Sequence, residues 1–191
     1  MGNTVGLYKN YSDDELMRLL QTGRNAAFDE LYERYGQKLF SYFFRMLWKN
    51  RELAEDFTQE LFIKLLKNIN TYSLGTNLST WLYSIANNMC KNEYRKHAVR
   101  STHQQLQVVE QVADAVNHDM KKFREAVHQC TTELPEEKKA LYILRFQENL
   151  AVRDISEIMG IPEGTIKSRI FYLLKEMKEK LKAFESLPIY P

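Results

Sequence analysis

Helix breakers and cross-linkers are scarce in this chain: four prolines, seven glycines and two cysteines in 191 residues. Cys90 and Cys130 form no CxxC pair, and two cysteines are not a disulfide framework, so no stapled secreted fold is expected. The four histidines, His97, His103, His118 and His128, have no zinc-ligand spacing with the cysteines, and neither a metal nor a cofactor is expected. No apolar run approaches the roughly eighteen residues of a membrane-spanning helix. The opening MGNTVGLYKNYSDDE has no apolar leader core and turns acidic early. Its Met-Gly start is a poor myristoylation match, because Gly6 stands where Ser or Thr is wanted. A cytoplasmic protein without direct membrane insertion is the expectation. Carboxylates are plentiful, but no histidine, cysteine or glycine-rich element accompanies them, and no nucleophile motif or phosphate loop is present. That excludes the common enzyme classes and a small-molecule substrate, so no catalytic residue is assigned.

A surplus of charge of one sign is missing too. Lys and Arg number 27 against 25 Asp and Glu, for a net charge of +2, so partners must be read from where the charges sit. Apolar residues make up 44% of the chain and aromatics 12%, enough for a packed core. With breakers so rare, long stretches keep a helical apolar period. Ser12 followed by Glu15 is a capping box that opens a short helix. Phe28, Leu31, Tyr32, Tyr35, Leu39, Tyr42, Phe43 and Met46 follow the i, i+3, i+4, i+7 rule, and Leu53, Phe57, Leu61 and Leu65 mark the next helix. A turn-rich stretch, 68–78, precedes a third long helix starting near Ser79. No alternating run is long enough for a strand, so the fold class is all-α. Residues 101–120 are polar and glutamine-rich, either a linker or a weak helix, and the economical reading makes 100–122 a linker between two small helical domains, 1–99 and 123–191. The three segments carry net charges of +2, 0 and 0.

Near the C-terminus, Val152, Ile155, Ile158 and Met159 mark a short helix stopped at Gly160, and Pro162 opens a longer one. Ile166, Ile170, Leu173, Leu174, Met177, Leu181 and Phe184 give that second helix its apolar stripe. This is helix-turn-helix grammar. At about 100° per residue, Gly164, Ser168, Phe171, Tyr172 and Lys175 lie opposite the stripe, flanked by Thr165, Lys167 and Arg169. Small, donor-bearing and aromatic side chains on one face suit the major groove of DNA, where Phe171 can meet a thymine methyl. A helical hairpin packing Phe171 and Tyr172 on a neighbour is the plainer alternative.

Two further faces carry a pattern. On the helix from Ser79, the residues Ser84, Asn87, Asn88, Lys91 and Arg95 share one stripe, with Trp81, Tyr83 and Tyr94 nearby. Amides, cations and stacking groups suit a single-stranded nucleic acid, against the alternative of a solvated basic face. The helix from Arg51 has the opposite sign: Glu52, Glu55, Asp56 and Glu60 cluster, and Asp56, Gln59, Glu60 and Ile63 share a stripe flanked by Phe62. An acidic face repels DNA. It is either solvated or made for a protein partner.

Three motifs in this order resemble the extracytoplasmic-function, or group IV, sigma factors of the bacterial sigma-70 family. Residues 54–64 (AEDFTQELFIK) resemble the core-polymerase-binding motif of region 2.2. Residues 79–88 (STWLYSIANN), continuing to Asn92 and Arg95, resemble regions 2.3 and 2.4. Leu134-Pro135, residues 144–146 (LRF) and residues 160–169 (GIPEGTIKSR) resemble region 4. The resemblance covers roughly 12–184. It implies a non-enzymatic subunit that binds core RNA polymerase, recognises promoter DNA and helps melt it. Under it, Asp56, Gln59, Glu60, Phe62 and Ile63 dock on the polymerase clamp. The loop 72–78 captures a flipped minus-ten base. Trp81, Asn87, Asn88, Lys91, Asn92 and Arg95 serve the minus-ten strand, and Thr165, Lys167, Ser168, Arg169 and Phe171 read the minus-thirty-five element. Residues 100–122 thread the polymerase as the linker. The lack of the extra regions of housekeeping sigma factors implies control by an anti-sigma factor, membrane-anchored in some cases. Asp154 and Ser156 depart from the Glu and Ala common in the family, and Lys138 and Lys139 replace a frequent arginine. The competing reading is a free-standing helix-turn-helix regulator, for which the acidic stripe has no use.

Overall fold

The computed structural model describes residues 8–100 and 118–184, with the side chains of 99–100 and 118–120 left aside. Among the described residues the protein is all-α: eight α-helices and short turns, with no strand. The helices are α1 (Asp13–Gln21), α2 (Ala26–Met46), α3 (Arg51–Lys67), α4 (Leu78–Arg100), α5 (His118–Thr132), α6 (Glu136–Tyr142), α7 (Val152–Met159) and α8 (Glu163–Lys180). They form two compact units. The first holds α1 to α3 and α4 as far as Glu93; the second holds the end of α4 from Tyr94, α5, α6, α8 and the larger part of α7. Most of the expected linker, 100–122, lies outside the described residues, and its last residues already belong to α5.

In the first unit, the capping box at Ser12 forms as the sequence requires. The backbone N–H of Glu15 donates to Ser12 Oγ at 3.3 Å, and that of Ser12 donates to Glu15 Oε2 at 2.6 Å. These bonds hold the Glu15 carboxyl below its ordinary range. Leu16, Met17 and Leu20 are buried on one side of α1. The core of α2 contains Leu31, Leu39, Tyr42, Phe43 and Met46, all with no exposed surface. Each such aliphatic or Phe side chain contributes roughly 1.5–3 kcal/mol of burial. Tyr32, part of the apolar period read for this helix, is instead exposed. Phe43 meets Phe57 of α3 edge-on at 5.5 Å, and Tyr42 meets Tyr83 of α4 at 5.4 Å, the offset geometry that aromatic quadrupoles favour. The turn from α2 to α3 places Trp48 and Lys49 at φ 53° and 58°, two successive non-glycine residues in left-handed backbone. Asn50 then caps α3, its Oδ1 accepting from the N–H of Leu53 at 3.0 Å.

In the second unit, α6 runs into a single wide turn, 143–147, in which the N–H of Glu148 reaches the carbonyl of Ile143. Arg145 closes the following bend by donating to the Leu150 carbonyl at 2.9 Å. The helix-turn-helix follows as the sequence requires. Gly160 takes φ 68°, and its N–H closes the last turn of α7 on the Ser156 carbonyl. Ser156, where the family often has Ala, donates its hydroxyl to the Ile161 carbonyl at 2.6 Å and so ties the turn a second time. Pro162 sits at the N-cap of α8, one residue before the first-turn position expected for it. Ile166, Leu173 and Met177 bury the inner face of α8, whereas Leu174 of the expected stripe is exposed. Gly160→Ala puts a Cβ on left-handed backbone, so it lowers stability by about 1 kcal/mol, read as an earlier urea midpoint.

Candidate polymerase and promoter surfaces

The face of α3 that points away from α2 is acidic. Asp56, Gln59, Glu60 and Ile63 are exposed together, Ile63 at 50%. Glu55 is held by Arg51 at 2.8 Å and Glu60 by Lys64 at 3.1 Å, one helical turn away in each case. Asp56 and Gln59 make no ion pair or side-chain hydrogen bond among the described residues. The centre of the face therefore offers an uncompensated carboxylate and a free amide beside an exposed isoleucine. Phe62 does not join them. It is 2% exposed, with its ring 5.6 Å from that of Phe28 and 4.8 Å from that of Tyr32. The reason is the position of the buried arc. A stripe through Leu53, Phe57, Leu61 and Leu65 drifts about 40° per step at 100° per residue, and the helix buries Ala54, Thr58, Leu61, Phe62 and Leu65. Phe62 packs inward on α2 and is not part of the acidic face.

Between α3 and α4 the chain makes a short turn at Ile69–Thr71 and then the loop 72–78. Asn77 caps α4 by accepting from the N–H of Thr80 at 3.2 Å, so the helix starts at Leu78, one residue before the expected Ser79. Along α4, Asn88, Asn92 and Arg95 are exposed and Trp81 and Lys91 half-buried. Trp81 stands edge-on to Tyr72 with ring centroids 5.5 Å apart. Asn87 departs from the stripe: it is buried, and its Oδ1 accepts from the Tyr42 hydroxyl at 3.3 Å. An amide satisfied against α2 is a core polar contact.

On α8, Thr165, Lys167, Ser168, Arg169, Phe171 and Tyr172 are all exposed, as are Gly164 and Lys175. Phe171 and Tyr172 are 64% and 66% exposed, and their rings meet edge-to-face at 5.5 Å. Both stay in solvent instead of packing as a hairpin would require. Ser168 spends its proton on the Gly164 carbonyl at 3.0 Å, which leaves its oxygen as an acceptor. Arg169 donates to Glu137 of α6 at 2.9 Å, and Lys138 of α6 pairs with Glu176. These exposed pairs contribute at most about 1 kcal/mol each.

Two family descriptions match, one in each half of the chain. Sigma-70 region 2 matches residues 31–100, and sigma-70 region 4 matches residues 124–177. The RNA polymerase sigma-H factor of Pseudomonas aeruginosa is 30% identical over 171 residues, covering 83% of this chain and 88% of that protein. The ECF RNA polymerase sigma factor SigW of Bacillus subtilis is 28% identical over 178 residues, covering 87% and 95%. The chain belongs to the sigma-70 family, as an RNA polymerase sigma factor of the extracytoplasmic-function type. Solved structures agree on the fold. CnrH, in complex with the cytosolic domain of CnrY, aligns with a TM-score of 0.68 at 16% identity, covering 90% of this sigma factor and 97% of that chain. The sigma factor RpoE of Bartonella quintana, in complex with the anti-sigma factor NepR, aligns at 0.65 and 23% identity, covering 81% and 96%.

Within the sigma factor, three contributors to these surfaces had no signal at the motif positions. Asn77 and Glu137 act as a cap and as a salt-bridge partner, and only the cap, an Asn three residues before Thr80, is a local pattern. Asp14 reaches the loop 72–78 from the far end of the unit in sequence. The burial difference on α3 gives a direct check. Phe62→Ala costs about 3–5 kcal/mol as a core truncation, whereas Ile63→Ala stays within about 0.5 kcal/mol as a surface change; urea denaturation of the two variants separates them.

Proposed function

We propose that the sigma factor distributes its work over three faces in chain order. Residues 1–99 bind core RNA polymerase and the minus-ten element, 100–122 form the linker, and 123–191 bind the minus-thirty-five element. On α3, Asp56, Gln59, Glu60 and Ile63 dock on a basic and apolar surface of the polymerase, with Phe62 holding the helix face in shape. A partner lysine or arginine facing Asp56 replaces water rather than an internal ion pair, so docking breaks nothing there. On α4, Trp81, Asn88, Lys91, Asn92 and Arg95 line the path of the non-template strand, and Asn87 braces the helix against Tyr42. The loop 72–78 captures a flipped minus-ten base. Extruding a base costs a few kcal/mol, and stacking on an aromatic returns ~1–3 kcal/mol, so a formed pocket offsets the cost of opening.

On α8, Lys167, Ser168, Thr165 and Phe171 face the major groove of the minus-thirty-five element. Arg169 joins them when a phosphate or base edge replaces Glu137, an exchange that the low worth of an exposed ion pair permits. The observation that carries this reading is chemical contrast in the right order. An acidic, apolar-tipped face lies on α3, an amide and cation face on α4, and an aromatic and cation face on α8, each inside a segment matched by its sigma region.

The family is not catalytic, and this sigma factor acts as a specificity subunit in the cytoplasm. No helix among the described residues is long and apolar enough to cross a membrane. An anti-sigma factor controls it by covering these faces; the structure of RpoE with the anti-sigma factor NepR supports that partner class.

Two charge reversals test the assignment. Asp56→Lys with Glu60→Lys abolishes retention on core polymerase in a pull-down and leaves the helical circular dichroism signal unchanged. Retention at the wild-type level contradicts the docking face. In run-off transcription, Lys167→Ala lowers use of the upstream box by about 1–3 kcal/mol, roughly 5- to 150-fold, without altering polymerase retention. Unaltered promoter preference places base reading elsewhere on α8.

A further inference from the structure

The first turn of α1 carries two adjacent aspartates with separate tasks. Asp13 faces α2: it accepts from Arg34 Nη1 at 2.9 Å and from the Tyr35 hydroxyl in a short hydrogen bond. Asp14 faces the loop between α3 and α4. Its Oδ1 accepts from the Tyr72 hydroxyl at 3.0 Å, and its Oδ2 accepts from the backbone N–H of Gly75 at 3.0 Å. Tyr72 completes the frame by sharing the same hydroxyl with the Thr76 carbonyl at 2.7 Å. The backbone is tied as well, because Gln21 Nε2 from the end of α1 donates to the carbonyls of Ile69 at 3.1 Å and Tyr72 at 3.2 Å.

An acid in the first turn of a helix has an ordinary explanation, since the helix dipole favours it there. Water serves that purpose equally well. Here both oxygens of one carboxylate are committed to groups 58 and 61 residues along the chain. Gly75 makes its bond at φ +90°, a conformation that a side chain disfavours. The Tyr72 ring is buried, and burial with the nearby carboxylates pushes its phenol up to about 12, so the hydroxyl keeps its proton and remains a donor at physiological pH. The Tyr72 ring also meets Trp81 edge-on, and Ser73, Leu74, Thr76 and Asn77 remain exposed around it. The loop thus has a fixed base on α1 and an open outer side beside an aromatic pair.

We propose that Asp14 is a positioning residue for promoter opening: through Tyr72 and Gly75 it sets the loop 72–78 in its base-accepting shape before DNA arrives. This rests on the reading of that loop as the one that captures the flipped base. A loop ordered in advance loses less entropy when the base enters, so more of the stacking energy is left to hold the strand open. Asp14→Asn is the sharp variant. It keeps the shape and one acceptor, but places an amide donor or a neutral oxygen where a carboxylate met two donors.

The experiment uses the full chain with core RNA polymerase on a promoter recovered by run-off transcription. Opening is read from permanganate reactivity of the minus-ten thymines. Templates are the intact duplex and a set bearing one abasic site at each successive non-template minus-ten position. The wild type loses opening at one abasic position. Asp14→Asn opens the intact duplex about ten-fold less, the loss of one charge-assisted bond, and is indifferent to that abasic site, while its retention on polymerase is unchanged. Wild-type opening together with wild-type abasic sensitivity in Asp14→Asn overturns the proposal. Should Asp14→Asn lose polymerase retention, as a misfolded chain would, Tyr72→Phe decides by the same two readouts. If no abasic position affects the wild type, the base-capture reading itself falls and this proposal with it.

Discussion

The first turn of α1 is the constraint on which the loop before α4 depends. Ser12 starts the helix, Asp13 fastens it to Arg34 and Tyr35 of α2, and Asp14 fastens it to Tyr72 and Gly75. The turn thereby links the helix that carries the core to the loop that precedes α4. The hydrophobic core of α2 supplies most of the stability through generic burial. It cannot by itself decide the shape of a seven-residue loop whose side chains are mostly in solvent. Directional bonds from a carboxylate do that, because they fail when the geometry is wrong.

The net charge of +2 is a cancellation of faces of opposite sign. Four acids lie within nine residues of α3, and the stretch 162–182 has six basic residues against three acidic ones. A near-neutral total limits affinity for DNA in general, since few phosphates can be neutralised at once. This suits a sigma factor, which meets promoter DNA together with core RNA polymerase. The exposed Glu137–Arg169 pair likewise offsets one of the α8 cations.

Much of this was legible in sequence, for local reasons. The capping box at Ser12, the left-handed Gly160 and the outward faces of α3 and α8 each depend on residues within one or two helical turns, and each stands where pattern placed it. What escaped pattern was decided at a distance. Phe62 lies inside because the true buried arc of α3 runs through Ala54, Thr58, Leu61, Phe62 and Leu65, and Phe28 and Tyr32 of α2 meet it there. Asn87 is likewise held by a residue far along the chain, its Oδ1 accepting from the buried Tyr42 hydroxyl. Asp14 looked like an ordinary first-turn acid, because its partners lie about sixty residues away. Ser156, a departure from the family pattern, proved to be an alternative fastening of the same turn.

The central claim is that this chain gives core RNA polymerase its promoter. The most direct measurement is transcription reconstituted from the purified full chain and core polymerase on fragments of the genome it comes from, with DNA binding by the chain alone followed in parallel. The account predicts transcripts that start at a fixed distance downstream of a shared two-box sequence, appear only when both proteins are present, and accompany weak DNA binding by the chain alone. Tight sequence-specific binding by the chain alone, with no transcripts gained on adding polymerase, would contradict it.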